Sequence, residues 1–525
     1  MKRIYLLLIL LLPLFLIGQN QNISGGIVYE GEPFLTTNPT NSQHIVVAWM
    51  GYLPLNGVVI KTKVSFDGGQ SWSTMSSLPH AKPSYGSADP SMEFDNNGDL
   101  FLSYVDFDAA IDSGEVYVSK SVDGGLNWQT PVEVIHAHAD PGRYAVDRPW
   151  ISVDRSGGAN DGNIYVTTMS PSVFGPLIPP FDPYFVSSTN GGTSFNSWQY
   201  LDTLGWLSGD DIQQPMPTHC VAADGTFYAV YPSYLQSQSL WPRYILASST
   251  DAGNDFTHQL LFNSITVPTD PLAKSGYLLR ANPADANHIA FFYLDVTHGD
   301  IDVFMRESLN GGSSWTGGIR INDDAIANNR MQDLVWADFD EDGDLVVSWR
   351  DRRGGADSTY AANSEIWGAV RWKDSTNFSA NFRISDTTVA YDAVLAQSGN
   401  DFMCVNLVDD TLAAVWGDVR ASGKLNVWFQ RLDPNGAILS TIQISSEVIP
   451  QVSLYPNPSS DLVSIEAKNL IAIKVLSQNG QEVINLGADA NVEKTIVDIS
   501  TLSDGIYFFQ VTTEEGIVSK KLVKN

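Results

Sequence analysis

Five copies of one turn constrain this chain more than any other feature in it. The first reads Ser65-Phe66-Asp67-Gly68-Gly69-Gln70-Ser71-Trp72, of the form Ser-x-Asp-x-Gly-x-Ser-Trp. The others begin at Ser121, Ser188, Ser249 and Ser308, so successive starts lie 56, 67, 61 and 59 positions apart. A repeat of that period marks a supersecondary unit that stacks on its neighbours. Within each copy the Asp or Asn side chain can accept backbone N–H groups a few residues on and close a tight turn. The glycine two residues later supplies a positive φ at little cost. The Trp or Phe at the end can plug the gap between the strands that the turn joins. Each copy therefore reads as a hairpin with a hydrophobic pin, structural rather than catalytic.

The stretches between these turns are strand after strand. In the second unit Pro90 to Phe94, the turn Asp95 to Asp99, Leu100 to Val105 and Glu115 to Lys120 precede the turn motif, and Val132 to Ile135 follows it. The sixth unit repeats that order with Leu334 to Trp336, the turn Asp340 to Asp344, and Leu345 to Trp349. Its turn motif has decayed to Lys373 to Phe378, and a seventh unit keeps only a remnant at Asp433 to Gly436. Residues 25–447 thus read as seven four-stranded units. The fold class expected is all-β, a propeller of seven blades, with six as the alternative; radial blades remove long exposed sheet edges.

The five turns resemble the Asp-box, or BNR repeat, of the sialidase superfamily. That resemblance implies a box between the third and fourth strands of a blade, far from an active site. Sialidases have six blades, so a count of seven departs from their pattern.

The N-terminus carries Lys2 and Arg3, then an apolar run from Ile4 to Ile17, then Gly18 and Gln19. Residues 1–18 read as a secretory signal peptide. The run is short for a membrane span, and an integral membrane protein is not expected. A formal charge of −29 argues against nucleic acid as a partner. Two cysteines, Cys220 and Cys404, are too few for a disulfide scaffold; they fall in non-adjacent units and are expected to be free. No cofactor is indicated. Asp338 to Asp344 opens like a calcium loop, but position twelve is Trp349 and not glutamate, so a hairpin turn is preferred and calcium is the alternative.

A second repeat falls at the start of the first strands. Glu32-Pro33, Asp89-Pro90, Arg148-Pro149 and Gln214-Pro215 each set a polar residue before proline, and Arg280 and Arg330 stand at comparable points of the fifth and sixth units. Proline is tolerated there because no ladder hydrogen bond is lost. One reading is punctuation of strand ends. The other places Glu32, Asp89, Asp147, Arg148, Arg280 and Arg330 around one mouth of the channel as a ligand site, suited to a polar ligand such as an acidic sugar. The sialidase resemblance implies an arginine triad for a carboxylate, a Tyr–Glu nucleophile and an acid/base aspartate. Here the nearest match to the first arginine motif is Asp147-Arg148-Pro149-Trp150, in the third unit rather than the first. Tyr277, Tyr391 and Glu32 are near-mouth candidates, without an assignable Tyr–Glu pair. Trp150, Trp206 and Trp241 are candidates for stacking on sugars, or for burial. Arg352, Arg353 and Arg420 read as inter-blade ion-pair partners.

After a linker at 448–451 the character changes. Val452 to Pro458, with Tyr455-Pro456-Asn457-Pro458, opens a small β-sandwich that runs to a basic end at Lys520 to Lys524. Residues 452–525 resemble the type A sorting domain of type IX secretion, which implies export across an outer membrane. The function expected is a secreted propeller that recognises a glycan or another cell-surface ligand at its channel mouth. The alternative is a sialidase-like exo-glycoside hydrolase cleaving terminal acidic sugars.

Overall fold

The computed structural model describes residues 20–108, 113–141, 143, 147–170, 182–209, 216–264, 276–356, 362–390, 400–421, 423–433, 452–477, 481–487, 494–513 and 516–525. The expected signal peptide and linker lie outside them, as do Gln214, Pro215 and Tyr391. Two compact units divide the chain, 1–439 and 440–525. Among the described residues no helix is long and apolar enough to cross a membrane.

The described part of the first unit holds seven four-stranded antiparallel sheets. These are the expected seven blades of a propeller. Six take their strands in sequence order, as in Glu30–Asn38, Asn41–Leu53, Gly57–Ser65 and Ser76–Ser77 of blade 1. The seventh has Cys404–Val408, Thr411–Ala421 and Lys424–Leu432 from its own segment, and its outermost strand is Gln21–Asn22. That strand pairs Gln21 with Phe429 and Asn22 with Trp428, so the two ends of the repeat region close the ring. First strands of neighbouring blades pack against each other all the way round, and the ring shuts where Cys404–Val408 meets Glu30–Asn38. Second strands are covered on both faces, which is why Ile45, Val46, Val47, Ala48 and Trp49 read as an unbroken apolar run and are all buried.

The five turns form one hydrogen-bonding unit each. In the first, Ser65 Oγ donates to Asp67 Oδ1 (2.8 Å) and accepts from Gly69 N–H (2.7 Å), while Ser71 N–H donates to Asp67 Oδ1 (2.8 Å). The equivalents to Ser71 N–H lie at 2.9, 3.0, 3.1 and 2.9 Å on Asp123, Asn190, Asp251 and Asn310. The second glycine also serves packing between blades. At Gly253 φ is +83°, and a Cβ would meet the Phe185 ring of blade 3 at 2.2 Å. Phe429, Val46, Phe101 and Leu246 take the same place against Gly69, Gly125, Gly192 and Gly312. The turn is thus a wedge set against the preceding blade.

Cys220 and Cys404 are both buried and free, as expected from their units. The unit 440–525 packs a three-stranded sheet and a four-stranded sheet around Val463, Ile465, Ile473, Val475, Phe509, Val511 and Leu522. Asn457 of the Tyr-Pro-Asn-Pro stretch clamps the last strand, donating to Lys521 O (2.7 Å) and accepting from Val523 N–H (2.9 Å).

Candidate functional site

The polar–proline pairs of blades 1 and 2 turn out to be bulges. In blade 1 Gly31 pairs with Met50 and Phe34 with Ala48, so Glu32 and Pro33 together face the single residue Trp49. In blade 2 Asp89 and Pro90 face Tyr104, and in blade 6 Leu334 and Val335 face Trp349. A bulge of two residues against one bends the strand and re-aims a side chain. Glu32, Asp89, Arg148 and Leu334 all adopt the left-handed region, with φ of 50°, 55°, 47° and 53°. Each such residue costs on the order of 1 kcal/mol or more, a strain that concentrates at functional sites.

Four of the six expected residues come together through these bulges. Arg148 ion-pairs with Asp401 of blade 7 (Nη2 to Oδ2, 2.8 Å), and its backbone N–H donates to Asp89 Oδ2 (3.2 Å). Glu32 is 3% exposed, and its Oε2 has no hydrogen-bond partner among the described residues. Burial, reinforced by the neighbouring Asp89 and Asp401, raises the Glu32 carboxyl well above its ordinary range. Burial and Asp89 raise Asp147 in the same way, with Arg148 opposing. Tyr29 belongs to the same group: burial first, then Glu32, Asp401 and Asp89, push its phenol well up. The result is four carboxyls and a phenol around one guanidinium.

Arg280 and Arg330 do not join them. Arg280 is the fourth residue of Tyr277–Ala281, toward the far end of its strand. Its Nε donates to Ala337 O (2.9 Å), and its guanidinium lies over Trp336. Pro283, downstream of it, marks a strand end and not a start. Arg330 precedes the blade 6 bulge by four residues. Asp300 accepts its backbone N–H, and the carbonyls of Asn328 and Asn329 take its guanidinium. Leu334 holds the place expected of it, with no proline after it to signal the position. Two members were missed, Tyr29 and Asp401. Asp401 lies three residues before the seventh first strand and has no proline after it, so the pattern used to find the others passes over it.

Beneath the cluster Phe34, Trp150, Trp336 and Phe402 pack as a floor, with ring centroids 5.3 to 6.0 Å apart. Trp150 is therefore a packing residue and not a free stacking face. Trp206 is covered by Arg243, while Trp241 is 58% exposed. Tyr277 is buried against Tyr244 between blades 4 and 5, away from the cluster. Arg353 and Arg420 bridge neighbouring blades, through Asp323 and Asp386 respectively. Arg350 and Arg352 instead share Asp333 of their own blade.

The calcium-like segment is a hairpin turn. Asp340 Oδ1 accepts the N–H groups of Gly343 (3.0 Å) and Asp344 (2.8 Å), as Asp95 does for Asn97 and Asp99 in blade 2. Asp338 takes no part in the turn and bonds Asn406 of blade 7. Asp340, Asp344 and Asp410 offer oxygens within 4.8 Å of one another, the one group of metal-ligand type found among the described residues.

Residues 453–525 match the model of the secretion system C-terminal sorting domain. The chain thus carries an export signal of the type IX kind and is destined for the cell surface or beyond. No curated protein matches the chain. Among solved structures it is similar to a Penicillium chrysogenum alpha-L-arabinanase complexed with arabinobiose, at 16% identity over 68% of this chain and 97% of that one, TM-score 0.44. It is similar also to the phage phi92 endosialidase, at 12% identity over 97% and 87%, TM-score 0.44. A Hadza microbial sialidase is similar at 13% identity over 75% and 77%, TM-score 0.40.

Proposed function

We propose that this exported propeller binds a neutral glycan at the end of its channel where Glu32, Asp89, Asp147, Asp401 and Arg148 converge. The observation that carries the reading is this convergence of polar groups from four blades, three of which contribute a residue at positive φ. Its charge balance argues for the ligand class. A sugar carboxylate would meet four carboxyls and one guanidinium, and that guanidinium is already paired with Asp401. An arginine triad for acidic sugars has no counterpart among the described residues, since Arg280 and Arg330 lie elsewhere. Sugar hydroxyls, in contrast, can both donate to carboxylates and accept from protonated carboxyls and from arginine.

One observation favours a second reading, glycoside hydrolysis. Glu32 and Asp147 are held toward the protonated form beside Asp89, and a general acid paired with a base is what glycosidic cleavage needs.

Glycan-array binding followed by calorimetry on wild type and Asp89→Asn tests the first reading. Neutral glycans should be retained by wild type and weakened about tenfold or more by the substitution, the size of a lost charge-assisted hydrogen bond. Retention of sialylated glycans alone, or equal binding by both proteins, would overturn it. Release of an aryl group from neutral aryl glycosides, abolished by Asp89→Asn, would select the hydrolase reading.

A further inference from the structure

The aromatic floor has a second side. Below Phe34, Trp150 and Trp336 lies a cavity of about 500 Å³ that opens among the first hairpins of all seven blades, at Pro39, Asn96, Ser156, Ala223, Pro283, Glu341 and Val408. This size falls within the range of small-molecule sites.

The cavity wall is chemically equipped. Arg280 reaches into it and, among the described residues, makes no ion pair; it donates to the carbonyls of Ala337 and Leu279. Side chains of Glu93, Ser152, Glu341 and Asn406 line the same cavity. Together they offer carboxyl, hydroxyl and amide groups, which can both donate and accept hydrogen bonds. Asp338 adds a carboxyl that burial pushes up to about 7.

We propose that this cavity is a second binding site, distinct from the mouth cluster, for an uncharged polyhydroxyl molecule of monosaccharide size. An anion would face Glu93, Asp338 and Glu341. A cation would face Arg155 and Arg280. A polyol meets neither penalty, and each of its hydroxyls can donate to one wall atom and accept from another. Phe34 and Trp336, which line the cavity, give the apolar face of a sugar ring a surface to lie against.

Cys220 and Cys404 line the same cavity, and burial raises both thiols to about 12. They report occupancy without any assay of activity. The full chain is treated with methyl methanethiosulfonate, with and without glucose, galactose, mannose, arabinose or xylose, and labelling is followed by intact mass. At a sugar concentration about ten times Kd the labelling rate should fall about tenfold, because only the free fraction reacts. Asn406→Leu should abolish protection, whereas Asp89→Asn at the mouth should keep it. That contrast separates this site from the one under Proposed function. Unchanged labelling with every sugar at about 100 mM, far above any useful Kd, would overturn the proposal and leave the cavity to ordered water. So would protection that survives Asn406→Leu in a folded protein but is lost in Asp89→Asn.

Discussion

The outer turns and the channel mouth are built on opposite terms. At the five turns every Asp or Asn is satisfied within its own few residues, and positive φ falls on glycine in four copies, with Ala252 the exception in the fourth. At the mouth, positive φ falls on Glu32, Asp89 and Arg148, and a carboxylate oxygen of Glu32 stays without a partner among the described residues. One region repeats because its geometry is the cheapest way to join two strands. The other departs from cheap geometry blade by blade, and the departures gather where the first strands begin. Stability is expected to reside in the rim and recognition in the mouth.

The sharpest break of that contrast is Gly253→Ala. The new methyl would be forced to φ +83° and into the Phe185 ring. A loss of about 3 kcal/mol is expected, from overpacking plus backbone strain, read as a large fall in Tm with ligand binding intact. Gly191→Ala in the third turn has the same φ class but open space around it, and should cost only about 1 kcal/mol. Equal effects would mean the wedge against the preceding blade contributes nothing.

Next comes a change of opposite sign. The Glu32 carboxyl is raised in the folded state, so at neutral pH folding holds it in the less favoured form. With the folded value above the unfolded one, this penalty is absent below the unfolded value and grows as pH rises towards the folded one. Glu32→Gln should therefore raise Tm at pH 7 and bring no gain near pH 4, while binding falls. Asp67 runs the other way: hydrogen bonds from Ser71, Ser65 and Gln70 outweigh a burial that alone would raise it, and hold it below its ordinary range. Its contribution is present at neutral pH and is lost as pH falls through the folded value. A Tm that falls for Glu32→Gln at pH 7 would mark the mouth as a structural network.

Asp123→Ala removes one turn's acceptor, and a loss of about 1 kcal/mol is expected, measurable by denaturant unfolding with no change in binding.

These contrasts follow from what the chain displays and what it conceals. The rim was legible because its chemistry is local: Ser, Asp and Gly within eight positions determine the turn, and five copies fix the blade. The seven-fold strand order was legible by the same period. The mouth was legible only where a proline follows the polar residue, which is why Glu32, Asp89 and Arg148 were found and Asp401 was not. Arg330 was placed four residues from the true bulge because Leu334 carries no polar mark. Arg280 shows the deeper limit. Whether a strand residue lies near the start or the end of a short strand depends on where pairing begins, and the Pro, Asp and Gly residues between Pro268 and Gly276 do not fix where pairing of Tyr277–Ala281 begins. Tyr29 came to the cluster through tertiary packing, which no local pattern encodes.

The smallest effect expected is that of Trp241→Ala. Its ring is 58% exposed beside Leu240, which is 83% exposed, and neither belongs to the blade core. Removing an exposed side chain with no buried partner generally changes stability by no more than about 0.5 kcal/mol. An exposed tryptophan is nonetheless the kind of surface on which a sugar ring stacks, and that gives the substitution its value. If glycans are held at the mouth, Trp241→Ala leaves both Tm and binding as in wild type, while Asp89→Asn lowers binding alone. If binding instead falls with Trp241→Ala and persists in Asp89→Asn, the loop between the second and third strands of blade 4 is the recognition surface, and the strained bulges of the mouth serve the closure of the ring.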